Sequence, residues 1–140
     1  MIDIESLIPH REPIKIMTEI IALSDNFGSA AAVVNERWPL CDGRVVQSLV
    51  FIEAIAQTAA VVEGNKQRQE GKGGTKGWLV GIKSAEFKEN TVPVGTRIVV
   101  EVKSLYAMDN YGVIEGIVKT GDRILFKAVI QAMRLNDDVA

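Results

Sequence analysis

The 140-residue sequence has a single cysteine, Cys41, and a single histidine, His10. One thiol excludes an internal disulfide framework and agrees with a reducing compartment. One imidazole and one thiol do not build a zinc site, so the reading calls for no metal and no cofactor. Charge of one sign is also scarce. The formal net charge is -2, without the basic excess that nucleic-acid binding requires. No apolar run approaches the roughly 20 residues that span a bilayer. The opening MIDIESLIPHREP carries acids where a secretory signal carries basic and then apolar residues. The expectation is therefore a cytoplasmic protein with no nucleic-acid or membrane partner, in which residues 1–140 form one domain.

Hydrophobic residues make up 47% and charged residues 24% of the chain, enough apolar material for a core without staples. IKIMTEIIAL and FGSAAAVV read as two strands joined by a turn at Asp25–Asn26. An irregular piece, NERWPLCDGRVVQ, follows, with Pro39 and Gly43 as breakers. SLVFIEAIAQTAAVVEG then predicts a helix, with Ser48 as N-cap and Gly64–Asn65 as its close. Its apolar residues lie on nearly every side, which predicts cover on both faces. NKQRQEGKGGTKG reads as a flexible loop, and its glycines lack the spacing of a phosphate-binding loop. Four strand-like runs close the chain: WLVGIKSAEF, TRIVVEVKSL, YGVIEGIV and RILFKAVIQAMRL, separated by turns at VPVG, Asp109–Asn110 and TGD. An antiparallel sheet around one long helix buries that pattern economically, an α+β fold.

Two polar residues interrupt the apolar helix. Glu53 is flanked by Phe51, Ile52, Ala54, Ile55 and Ala56, so its carboxyl is expected to be partly desolvated, which raises a carboxyl pKa and suits acid–base work. Gln57 lies at i+4, on the same face, where an amide can steer that carboxyl. The bland alternative is a solvated edge of the helix. His10 is the one side chain that titrates near neutrality unperturbed, with a structural role as its alternative. The free N–H groups at the helix start, at Ser48 and Leu49, suit an oxyanion. Cys41 reads most simply as a small apolar residue and Asp42–Gly43 as a turn. Trp38 and Trp78 read as core or interface aromatics. Arg11, Arg44, Lys83 and Lys88 are candidates for an anionic partner, against surface charge as the alternative.

In order and spacing, IPHREPIKIMTEI, LVFIEAIAQTAA and VGIKSAEFKENTVPVGTRI resemble the hot-dog-fold β-hydroxyacyl-acyl carrier protein dehydratases. Within that group the pattern looks closest to the divergent dehydratase-like branch of aryl-polyene clusters. The resemblance implies a hot-dog domain that dimerises, as a homodimer or a higher oligomer of dimers, with an acyl tunnel between the central helices. It implies an acyl carrier protein or coenzyme A thioester as substrate, Glu53 as the catalytic acid and Gln57 as its support. The family's GHFPG-type motif supplies a histidine, whereas RWPLCDGRV holds none, and the family's helix-start glycine is Ser48 here. That leaves His10 as the second acid–base candidate. The expected function is a 3-hydroxyacyl-thioester dehydratase of fatty acid or polyene-type biosynthesis. An acyl-thioesterase on the same fold and a catalytically silent acyl-binding subunit are the alternatives.

Overall fold

The computed structural model describes residues 15–69, 78–108 and 111–134, apart from the side chains of Gln67, Trp78, Leu79, Val80 and Arg134. His10, Arg11, the Trp78 side chain and the Asp109–Asn110 turn lie outside what is described. The elements run β1 (Glu19–Leu23), β2 (Phe27–Val33), β3 (Val45–Gln47), α1 (Val50–Gln69), β4 (Trp78–Phe87), β5 (Thr91–Pro93), β6 (Arg97–Met108), β7 (Tyr111–Thr120) and β8 (Arg123–Arg134). Six strands form one antiparallel sheet in the order β1-β2-β6-β7-β8-β4, and β3 pairs with β5 apart from it. Among the described residues a sheet carries one helix, the α+β fold the sequence pattern predicts.

The helix packs across β2, β6 and β7. Along β6, Ile98, Val100 and Val102 are buried while the residues between them are partly or fully exposed. That period of two puts one face of the sheet under the helix. Phe51 and Ile55 of α1 are fully buried, each contributing about 1.5–3 kcal/mol from lost apolar exposure. The approach is close enough to need a missing side chain: a Cβ on Gly116 would lie 2.5 Å from Ile55 Cγ2.

Four features differ from the expectation. The first strand begins at Glu19 rather than among Lys15–Thr18, because the Ile16 and Met17 N–H groups donate to a side chain instead of a neighbouring strand. The helix continues through Gly64 and Asn65 to Gln69. Gly64 keeps a helical backbone, and the positive-φ glycines among the described residues are Gly43, Gly95 and Gly121, so the left-handed stop is not used. Residues 65–69 of the expected loop are therefore helical, and residues 70–77 lie outside what is described. The pair β3–β5 has no counterpart in the sequence reading, since three-residue strands carry too little periodicity. Finally, the described residues cover α1 unevenly: Ile52, Glu53, Ala56 and Glu63 form a half-buried stripe.

Candidate active site

The start of α1 is tied down from outside the helix. Ser48 is fully buried. Its N–H donates to the Asn90 carbonyl at 2.8 Å and its hydroxyl to the Glu89 carbonyl at 2.6 Å. The hydroxyl thus anchors the connection between β4 and β5, and the Ser48 N–H is already committed. The Ser48 and Leu49 carbonyls accept from Phe51 and Ile52 N–H groups at 2.9 and 3.2 Å, which winds the first turn tightly. The donors left to face outward at this end are those of Leu49 and Val50, as at any helix start.

One turn further, Glu53 is half-buried and Gln57 fully buried. The Gln57 amide is oriented by two bonds: Oε1 accepts from Ile16 N–H at 2.7 Å and from Met17 N–H at 3.1 Å. With the oxygen committed, Nε2 points to Glu53 and donates to Oε1 at 3.1 Å. The amide thus holds the Glu53 carboxyl and cannot swing away without leaving two buried N–H groups short of an acceptor. The i, i+4 pairing expected from the sequence is made.

Glu53 opens into a depression of about 410 Å³ lined by Pro39, Leu40, Leu49, Val50 and Ile52. The setting is a carboxyl at the side of an open, otherwise apolar depression next to a helix N-terminus. Pro39 and Leu40 come from RWPLCDGRV, which the sequence reading treated as irregular. Neither periodicity nor composition marked them, because their place depends on a chain reversal. In that reversal, Gln47 N–H donates to the Leu40 carbonyl at 3.0 Å, and Cys41 bridges to Val46.

The other candidates take structural places. Asp42 is exposed and accepts from the Arg44 and Val45 N–H groups at 2.9 and 3.0 Å. The Val45 bond and then the Arg44 bond hold its carboxyl below the ordinary value of 3.8, so it is a turn-former and not a desolvated base. Cys41 is half-buried, and its Sγ accepts from Gly43 N–H at 3.3 Å. Trp38 is buried in the core. Lys88 pairs with Glu86 at 2.6 Å on the surface, and the bond and charge of Lys88 pull the Glu86 carboxyl down. Arg44 and Lys83 are exposed. Among the described residues no three of His, Cys, Asp and Glu converge as metal ligands. No helix among them is long and apolar enough to cross a membrane.

Comparison with known proteins gives this geometry a family. The 3-hydroxyacyl-[acyl-carrier-protein] dehydratase FabZ of Streptococcus agalactiae serotype V is 27% identical over 132 residues, covering 89% of this chain and 91% of that protein. FabZ of Streptococcus mutans serotype c is 30% identical over 123 residues, 82% of this chain and 85% of that one. Among solved structures, a chain of the dehydratase heterocomplex ApeI:P from Xenorhabdus doucetiae matches with a TM-score of 0.89 and 17% identity, over 99% of this chain and 94% of that chain. The α+β architecture is thus the hot-dog fold. The model of the ApeP-like family, described as ApeP dehydratase, matches residues 2–140, and with the two bacterial dehydratases of similar sequence this establishes that the chain belongs to the ApeP-like dehydratase family.

Proposed function

We propose that the protein is a 3-hydroxyacyl-thioester dehydratase of fatty acid or polyene-type biosynthesis, in which Glu53 carries the proton to the departing hydroxyl. The reaction removes a proton from C2 and the hydroxyl from C3, leaving an enoyl thioester and water. Protonation by Glu53 lets the C3 oxygen leave as water rather than as hydroxide. Gln57 positions the carboxyl. The Leu49 and Val50 N–H groups at the helix start stabilise the negative charge that builds on the thioester oxygen as the C2 proton leaves. The C2 proton passes to a second group, for which His10 is the candidate. The observation that carries the reading is the Gln57–Glu53 bond at 3.1 Å, beside an apolar recess at a helix N-terminus.

The substrate in this reading is an acyl carrier protein or coenzyme A thioester, with exposed Arg44 and Lys83 suited to the phosphate of its arm. The active form is a homodimer or an oligomer of dimers in the cytoplasm. The ten-residue β4 lies at one edge of the sheet and exposes Ile82. Both favour pairing with a second chain.

A second reading has its own support. Among the described residues the loop from Trp38 to Gln47 carries no imidazole, which fits a silent acyl-binding subunit that works beside another dehydratase, and one similar structure is a heterocomplex. The test is to incubate the purified chain with a 3-hydroxyacyl-pantetheine thioester and separate the products by mass. Enoyl thioester supports dehydration, and free pantetheine thiol supports a thioesterase instead. Unchanged substrate, turned over only when a second dehydratase is added, supports the silent subunit.

A further inference from the structure

Leu40 adopts a φ of 61° and is the one non-glycine residue with positive φ among the described residues. This left-handed backbone region is one that side-chain-bearing residues avoid, because Cβ crowds the following carbonyl. Such a conformation persists only where surrounding bonds over-determine it, and it concentrates at functional sites. The bonds are visible here. The Leu40 carbonyl accepts from Gln47 N–H, Cys41 bridges to Val46, and Asp42 N–H donates to the Val45 carbonyl at 3.1 Å. The small hairpin from Leu40 to Gln47 therefore clamps the residue from its C-terminal side. Gly43, three residues on, takes the positive φ its own turn needs (98°), so at Gly43 the chain uses glycine where only a bend is needed.

The Leu40 side chain is not tucked into the core. It is 46% exposed, and Leu49 is 51% exposed; both line the depression into which Glu53 opens. In the single chain both side chains are about half exposed, so an apolar ligand that covers them gains the stabilisation of their burial.

We infer that Leu40 is a specificity-determining residue, whose side chain forms a wall of the seat for the acyl chain of the thioester and whose left-handed backbone is held in order to place it there. This rests on the acyl-thioester reading above and adds to it the residue that grips the chain. Leu49 forms the facing part of the same seat. The reacting carbons then lie at Glu53.

Replacing Leu40 by glycine separates the backbone from the side chain, since glycine takes positive φ freely. The probes are a hydrolysis-resistant decanoyl-pantetheine amide and acyl-free pantetheine, titrated by calorimetry. For Leu40→Gly the melting temperature is expected to stay or rise, while affinity for the decanoyl amide falls about fivefold, the size expected for half of a leucine's burial. Affinity for acyl-free pantetheine is expected to be unchanged. Leu40→Met, which keeps an apolar side chain, is expected to bind the decanoyl amide within about twofold of wild type, being close to leucine in volume. A Leu40→Gly protein that binds the decanoyl amide as tightly as wild type overturns the inference, and so does one that loses both probes equally. If wild type itself binds the decanoyl amide no better than acyl-free pantetheine, the acyl-thioester reading fails first and the inference falls with it.

Discussion

Gln57 offers the sharpest perturbation, because one amide serves both the fold and the site. Gln57→Leu keeps most of the side-chain volume and removes the oxygen that accepts from Ile16 and Met17 N–H groups at 2.7 and 3.1 Å. Ile16, Met17 and position 57 are all fully buried, so water does not readily replace the lost acceptor. A buried donor left unpaired costs about 1–3 kcal/mol, and two of them about 2–6 kcal/mol. A domain of this size has a total stability of about 5–15 kcal/mol. With about 3–4 °C per kcal/mol for a chain between 100 and 150 residues, thermal unfolding followed by circular dichroism should show a fall of roughly 10 °C. Gln57→Glu is the control. Its carboxylate still accepts from both N–H groups, so its melting temperature should fall less. It no longer offers the amide N–H to Glu53, so enoyl-thioester formation should slow while more of the fold's stability is kept than in Gln57→Leu. A Gln57→Leu protein that melts within about 3 °C of wild type, less than one kcal/mol on this scale, would refute the reasoning, because the amide would then not be what pins the segment before β1.

Gly116→Ala places a methyl 2.5 Å from Ile55 Cγ2 and 2.7 Å from its Cδ1, and denaturant unfolding should show a loss of about 1–3 kcal/mol from overpacking; adding Ile55→Val to the same chain should return part of it. Ser48→Ala removes the hydroxyl that donates to the Glu89 carbonyl at 2.6 Å in a part-buried bond, and should cost about 0.5–1.5 kcal/mol in the same assay. The Asp42 carboxyl is held below its ordinary value of 3.8 by the Val45 and Arg44 N–H groups. Its contribution is therefore present above that value and is lost as pH falls through the lower, folded-state pKa. Asp42→Asn, which does not titrate, should show a shallower fall of melting temperature on acidification below that value than wild type does.

Much of the fold was legible because the period of the apolar residues changes along the chain. Alternation in RIVVEVK marks β6, and the dense apolar run from Val50 to Val62 marks the helix. Glycine misled at the end of the helix. Gly64 costs a helix something but does not stop it unless the chain turns left-handed there, and the residues that follow, Lys66 to Gln69, favour helix. β3 and β5 went unseen because each is three residues long and each is stabilised by the other across more than forty residues of sequence. The contact between Gln57 and Glu53 was legible from their i, i+4 spacing. The direction of the amide was not, since it is set by Ile16 and Met17, forty residues away. Leu40 was invisible for a related reason: its exposure and backbone follow from a hairpin that no local pattern announces.

The central claim is that Glu53 carries a proton in a dehydration. It is tested most directly by the rate of enoyl-thioester formation from a 3-hydroxyacyl thioester, measured for wild type and for Glu53→Gln, with folding checked by the melting temperature of each. The glutamine keeps the size and polarity of the side chain and removes its titration. Wild type should form the enoyl product, and the variant should be slower by about 10²- to 10⁴-fold, the range for a positioned acid–base group. Equal rates to within about tenfold, below that range, or no enoyl product from the wild-type chain, would contradict the account.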